Sequence, residues 1–362
     1  MRQAHAVSDV RTAEDTLMET VPDGALMQRA AAGLAAICAQ LLGRVYGSRV
    51  AVLAGTGANG GDALYAAARL ARRGARVTVI QTGSHLYEGG WNALKRAGGR
   101  LTEDAGQAAA NALAEADLVL DGILGIGGRG GLREPAANLA GLAERARAAG
   151  AILVATDLPS GVDADTGVVS GAAIRADVTV TFGTLKPGLL IDPGASYAGT
   201  VELVDIGLEP ALAAGPVAIA LQSPDVAGLL PTPSVESDKY RRGVLGVLAG
   251  SDKYTGAAVL SVGGAIRGGA GMVRLVSSKS AADVVRQHWP EAVITHLDPG
   301  RPAASIEAAG RVQAWVAGPG LGTGDEAEAV LEAVLGTDLP VLIDADGLTV
   351  LRRNRELLSR SC

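Results

Sequence analysis

A chain of 362 residues exceeds one average domain, so two are expected. Its 50 glycines are about twice the usual ~7% share, hydrophobic residues make up 48% and aromatics only 3%. The core must therefore be close-packed Ala, Val and Leu; disorder is excluded as the main state, and a net charge of -6 argues against a nucleic-acid partner, which needs clustered Lys and Arg.

Residues 12–42 read as helix, with Asp23 as N-cap and Leu26, Ala30, Leu34 and Ile37 as an apolar stripe suited to core or subunit packing. Arg49–Ala54 reads as a buried strand, followed by GTGANGGD and a helix over Ala63–Arg73. Further strands are expected at Arg76–Ile80, Asp117–Leu120, Ala151–Ala155, Val178–Phe182 and Thr200–Val204. Near-continuous apolar strands alternating with helices predict an α/β fold with a parallel sheet covered on both faces. Ligands of such sheets bind beyond the carboxyl ends of the strands. Pro210, Pro216, Pro224, Pro231 and Pro233 interrupt the pattern and mark a linker. The expected domains are 1–208 and 237–362, joined by 209–236. The second domain resumes with strand Val244–Ala249, helix Gly256–Arg267 and strands Met272–Val276, Val312–Ala317 and Pro340–Ile343.

Cys38 and Cys362 form no disulfide framework or zinc spacing, and His5, His85, His288 and His296 form no metal-ligand pattern. No apolar run of the ~18 residues that span a bilayer is read. The start, MRQAHAVSDV, lacks the apolar core of a secretory signal. A cytoplasmic protein that engages no membrane is expected.

Three strand-end loops carry candidate chemistry. Gly55-Thr56-Gly57-Ala58-Asn59-Gly60 matches the dinucleotide fingerprint GxGxxG, yet the strand ending at Ile80-Gln81-Thr82-Gly83 lacks the ribose-holding acid. A dehydrogenase is disfavoured, and the absence of GK[ST] excludes a Walker loop. A tight turn explains some of the glycines but not Asn59 and Asp62 among them. Bare N–H groups at this helix start suit an anionic ligand. Asp121 precedes the loop Gly125–Gly131, where glycine allows a ligand to approach the backbone and Arg129 or Arg133 could meet phosphate. Asp157 and Ser160 sit at a third strand end. Asp163 and Asp165 read as turn residues. Lys186 follows another strand and is read as either solvated or functional.

In this order and spacing, GTGANGGDAL, LVLDGILGIGGRGG, VATDLPSGVDADTG and VTFGTLKPG resemble the NAD(P)H-hydrate epimerase domain over about residues 10–210. The later segments KYRRGVLGVLAGSDKYTGAAVLSVGGAIRGGAGMV, WVAGPGLGTG and VLIDADGL resemble the first half of the ADP-dependent NAD(P)H-hydrate dehydratase. The resemblance implies an N-terminal Rossmann-like three-layer sandwich with a mostly parallel sheet, then a truncated ribokinase-like α/β domain. It implies repair of NADH and NADPH hydrated at C6: the epimerase interconverts the R and S forms, and the dehydratase consumes the S form with ADP. Potassium would be held by Asn59, Asp121 and Ser160, hard oxygen donors suited to a hard cation. Substrate would lie along Ala58, Asn59, Gly60, Gly61 and Asp62, along Gly125, Ile126, Gly127, Gly128, Arg129, Gly130 and Gly131, and against Asp157. Ala257 and Gly322 match substrate-contact positions of the second domain. Asp157 is the expected proton donor to the departing hydroxyl, with Asp62 or Lys186 assisting from the other face of the ring.

Departures from the family pattern are Ala58 in place of an Asn and Ala63 in place of a Gly. The TPH-type segment, the Lys-Gly stretch and the GSGD loop of the dehydratase do not occur in this sequence. The expectation is that this chain by itself epimerises without dehydrating. The alternative, a non-catalytic nucleotide-binding scaffold of the same fold, is opposed by the joint retention of Asn59, Asp62, Asp121, Asp157 and Ser160. Self-association through the N-terminal apolar stripe is left open.

Overall fold

Apolar runs broken only by glycine loops form strands buried on both faces. The computed structural model, which describes residues 1–102, 105–230 and 242–359, builds parallel sheets from them in two units, Met1–Ala227 and Gly228–Cys362.

The first unit runs β1 (Arg2–Ala4), α1 (Val7–Met18), α2 (Ala25–Leu42), β2 (Arg49–Ala54), α3 (Ala58–Arg72), β3 (Arg76–Gln81), α4 (Glu88–Arg96), β4 (Arg100–Leu101), α5 (Gln107–Ala114), β5 (Leu118–Gly122) and α6 (Ala136–Ala148). It continues with β6 (Ile152–Thr156), β7 (Val178–Phe182), α7 (Gly194–Ala198), β8 (Thr200–Val204), β9 (Ala218–Ala220) and the start of α8 (Ser223–Leu229). Seven strands pair in the order β4-β3-β2-β5-β6-β7-β8, every pairing parallel. The period-2 alternation of β2 shows how the sheet is covered. Val50, Val52 and Ala54 join a core with Leu34 and Ala31 of α2 and Leu64 and Ala67 of α3. Ala51 and Leu53 join a second core with Leu113 of α5 and Leu139 and Ala143 of α6. The result is a three-layer sandwich.

Residues 12–42 are not one helix. α1 ends at Met18 and α2 begins at Ala25. Between them lie Pro22 and Gly24, the latter left-handed at φ 75. Gly24, not Asp23, occupies the cap position, and no side chain caps it. The stripe itself is core: Ala30 and Leu34 are buried, and Leu26 and Ile37 pack against them. α2 has 18 residues and is, by length and composition, long and apolar enough to cross a bilayer, contrary to expectation. Alanine richness makes it so, and one side of it packs on the sheet.

The expected linker also begins too early. β9 pairs antiparallel with β1, Arg2 opposite Ala220 and Ala4 opposite Ala218, so the first unit extends to Ala227. Closely spaced prolines forbid a long strand there but leave room for a three-residue edge pair. Pro231, Pro233 and the rest of 231–236 lie outside the described residues, as does Cys362.

The second unit runs β10 (Val244–Leu248), α9 (Thr255–Arg267), β11 (Met272–Ser277), α10 (Lys279–His288), β12 (Val293–His296), α11 (Pro302–Ala308), β13 (Ala314–Ala317), α12 (Asp325–Leu335), β14 (Val341–Ile343) and α13 (Asp346–Arg353). Its strands lie in the order β12-β11-β10-β13-β14, all parallel. Val244 and Leu248 face a core built on Trp315 and Val330, while Val247 faces another with Val262 and Val285.

Candidate active site

The carboxyl ends of β2, β5, β6 and β7 meet at one edge of the first sheet. Glycine brings their loops together. A Cβ at Gly55 would lie 2.0 Å from the Ile123 carbonyl oxygen, and one at Gly60 would lie 2.2 Å from that of Gly55. No other residue permits such an approach, so the start of α3 is pressed against the ends of β2 and β5.

Beneath these loops lies an oxygen-rich cluster. Asp121 and Ser160 are buried. The Ser160 hydroxyl donates to Asp121 Oδ1 at 2.7 Å and accepts from the Leu124 N–H at 2.9 Å; the Ser160 N–H donates to Asp121 Oδ2 at 2.9 Å. Burial pushes the Asp121 carboxyl up to about 6 despite these hydrogen bonds, because removing a carboxylate from water costs more than they return. Asn59 points at the same loop: a Cβ on Gly125 would sit 3.2 Å from its Oδ1. Both polar atoms of the Asn59 amide are buried with no partner among the described residues, an arrangement that calls for a ligand.

At the end of β6 the chain turns sharply. Asp157 has φ 63, a left-handed conformation costly for a residue with a side chain, while its N–H still donates to Val180 O at 2.7 Å. Its Oδ1 accepts from Lys186 Nζ at 2.5 Å, Thr181 Oγ1 at 3.0 Å and the Phe182 N–H at 3.4 Å. Lys186 Nζ also donates to Thr181 Oγ1 at 3.0 Å and Phe182 O at 3.1 Å. An ammonium has three donors, and all three are engaged by the protein. Lys186 is 1% exposed, so it is neither solvated nor on a wall opposite Asp157. The two side chains form one buried unit in which none of these bonds involves Asp157 Oδ2.

Above the cluster opens a cleft of about 430 Å³. Of the residues expected at the site, Ala58, Asn59, Asp62, Gly125, Ile126, Gly127, Gly128 and Asp157 line it. Gly60 and Gly61 are buried beneath, the first against Gly55 and the second against Tyr87 and Met27. Arg129, Gly130 and Gly131 are not part of its lining. Gly131 packs on the backbone of Gly171, beside the antiparallel bridge between Leu132 and Ala172, and the charge of exposed Arg129 acts on Asp163. Asp163 is a turn residue as expected, accepting from the Asp165 and Thr166 N–H groups. Asp165 is also in that turn, and its side chain reaches across to accept from the Val7 N–H at 2.8 Å, which anchors the start of α1.

That anchor explains what the sequence reading missed. α1 supplies Arg11 and Glu14 to the cleft. Asp62 Oδ1 is buried without a partner among the described residues. Its carboxyl is held well above the usual range, first by burial, then by the negative charges of Asp157 and Glu14, with Lys186 opposing. Glu14 is raised too, by burial first, with Lys186 and Arg11 opposing and Asp157 and Asp15 adding. The cleft thus holds carboxyl groups whose surroundings differ, the condition for dividing acid and base roles. A cavity of about 680 Å³ at the amino ends of the strands offers no such convergence, since Arg49 there faces Glu115 at 3.6 Å and Asp117 at 3.9 Å.

In the second unit, Ala257 near the start of α9 packs against Gly320, and Gly322 lies two residues further along the loop that follows β13. The Ala257 methyl lies 2.5 Å from where a Cβ on Gly320 would stand, and the Gly322 N–H donates to Asp346 Oδ2 at 2.9 Å. Gly318, Gly320 and Gly322 all have positive φ.

Two family models match the chain: one described as YjeF-related protein N-terminus over residues 23–188, the other as NAD(P)H-hydrate dehydratase over residues 245–362. The chain is 46% identical over 363 residues to the bifunctional NAD(P)H-hydrate repair enzyme Nnr of Mycobacterium leprae, an alignment covering 99% of this chain and 71% of that one. It is 46% identical over 215 residues to the NAD(P)H-hydrate epimerase of Clavibacter sepedonicus, covering 57% and 90%. Among solved structures, the yeast protein ynu0 superposes with a TM-score of 0.50 at 21% identity, over 62% of this chain and 98% of that chain, a likeness of fold.

Proposed function

The chain belongs to the bifunctional NAD(P)H-hydrate repair enzymes, with an epimerase and a dehydratase domain, and from that premise we propose that the cleft of the first unit binds hydrated NAD(P)H and inverts its C6. C6 carries a hydroxyl beside ring N1. The nitrogen lone pair expels that hydroxyl, leaving a planar N1=C6 centre, and water returning from the opposite face inverts the configuration. One water leaves and one enters, with no change in oxidation state.

The observation that carries this reading is the pairing of Asp62 and Asp157 in one cleft with Lys186 bonded behind Asp157. Asp157 accepts from an ammonium, a hydroxyl and an amide N–H, an arrangement for a carboxylate, so its free Oδ2 stabilises the cationic ring. The proton for the departing oxygen then comes from Asp62, whose burial raises its proton affinity. Lys186 is a positioning residue for Asp157. In this division of labour the proton donor moves from Asp157 to Asp62.

The orphaned amide of Asn59, together with the carboxylate and hydroxyl of Asp121 and Ser160, suits a hard monovalent cation. We assign these three to potassium, which when bound supplies the positive charge that keeps Asp121 ionised and ties the three loops together. We assign the Gly-rich turns at Ala257 and Gly322 to part of the substrate and ADP site of the dehydratase domain. Our reading is that these 362 residues by themselves epimerise without dehydrating, since they lack the TPH-type, Lys-Gly and GSGD segments.

The test is a paired assay on (R)-NADPH hydrate followed by NMR, with and without ADP. R-to-S conversion independent of ADP is expected, and Asp157→Ala should lower kcat by at least ~10²-fold. Wild-type turnover in that variant would refute the assignment. Absence of any conversion by the native chain would favour the scaffold reading.

A further inference from the structure

Inversion through a planar centre needs a proton-handling group on each face of the ring. The group that receives a proton in one direction must return it in the other. The titratable residues lining the cleft are Arg11, Glu14, Asp62 and Asp157. Arginine does not release its proton. Asp62 lies in the first turns of α3 and Asp157 at the end of β6, both at the sheet edge and both lining the cleft; they are assigned to one side of the ring. Lys186, the residue first expected on the other side, has every donor committed to Asp157, Thr181 and Phe182.

Glu14 comes from a different wall. It sits on α1, which Asp165 anchors through the Val7 N–H. It is half-buried, at the cleft rather than in bulk solvent. The charged groups acting on it are Lys186, Asp157, Asp15 and Arg11, and it acts in turn on Asp62. Burial raises its proton affinity, as suits a group that must both take and return a proton.

We propose that Glu14 is the proton-transfer residue for the face of the ring turned away from Asp62 and Asp157. This rests on the reading of the cleft as the epimerase site. In one direction Asp62 protonates the departing oxygen, the C6–O bond breaks with both electrons going to oxygen, and the N1 lone pair forms N1=C6. A water oxygen then bonds to C6 from the side of Glu14, whose carboxylate takes the released proton. In the reverse direction Glu14 gives that proton back and Asp62 receives one. Exchange with solvent restores both residues.

The experiment uses the full chain, Glu14→Gln and Glu14→Asp, and NADPH hydrate in water enriched in oxygen-18. Epimers are separated chromatographically, and label is read by mass spectrometry above the enzyme-free rate. Glu14→Gln should lower inversion by at least ~10²-fold with KM little changed. It should still incorporate label, with retained configuration, into the epimer whose hydroxyl lies on the Asp62 side. The limb of the kcat–pH profile that Glu14 supplies should vanish in Glu14→Gln and persist in Glu14→Asp, which should recover part of the inversion rate. Native-like inversion in Glu14→Gln overturns the proposal, and so does equal loss of inversion and label exchange, the signature of a structural role. If Glu14→Gln does not fold, Glu14→Asp decides by its pH profile: an unmoved limb overturns the proposal. Failure of the native chain to invert or exchange refutes the reading of the cleft itself.

Discussion

Replacing Lys186 with Met removes the charge from a buried ion pair and keeps most of the side-chain volume. Lys186 is 1% exposed, and its ammonium is bonded to Asp157 at 2.5 Å and makes two further hydrogen bonds. Removing one partner of such a pair costs about 3–5 kcal/mol, since the other charge is left buried and alone. The same bonds hold Asp157 in its left-handed conformation, which by itself costs about 1–3 kcal/mol. We therefore expect Lys186→Met to lower the stability of the first unit by about 3–5 kcal/mol at neutral pH. Native-state hydrogen exchange at the β6 and β7 amides reads this unit alone. Adding Asp157→Asn to Lys186→Met should recover part of the loss, because no charge then remains buried. A loss under about 1 kcal/mol, typical of a solvated pair, would refute the argument that this pair is desolvated and holds the turn.

Asp62→Asn should separate stability from activity. A carboxyl raised in the folded state binds more protons there than in the unfolded chain, so stability falls as pH climbs from the ordinary carboxyl range through the raised value. The variant should lose that slope, be more stable than wild type at neutral pH by denaturant unfolding, and still invert C6 at least ~10²-fold more slowly; lower stability at neutral pH would contradict the burial argument. Replacing potassium with sodium should slow epimerisation and lower the melting temperature. Asn59→Ala should remove that dependence, and indifference of the native chain to the ion would count against the oxygen cluster as its site.

The strands of both sheets were legible because apolar runs bounded by glycine are dense in this chain. Arg49–Ala54 and Val178–Phe182 fall where the sequence placed them. So did the gathering of Asn59, Asp121, Asp157 and Ser160 at one sheet edge, since parallel topology sends successive strand ends to the same place. Glu14 was not legible. On a helix surface it looks like any solvated acid, and only the long-range bond from Val7 to Asp165 turns it into the cleft. The state of Lys186 was equally hidden, because nothing local says that Thr181 and Phe182 will consume its remaining donors. The break between α1 and α2 was signalled by Pro22 and Gly24 and overridden in the reading by the apolar stripe around them.

The short β1 strand reaches further than its three residues suggest. Ala4 bridges Leu185, the His5 N–H donates to Leu185 O at 3.0 Å, and His5 Nδ1 meets Thr184 Oγ1 at 2.7 Å, one and two residues ahead of Lys186. The Met1 amine grips Asp225 at 2.6 Å. The leading peptide is thus a guy-rope for the lysine behind the reacting carboxylate. A substitution that loosens the pairing of β1 with β9 would therefore reach that lysine without touching the cleft, which makes an edge strand a kinetic variable.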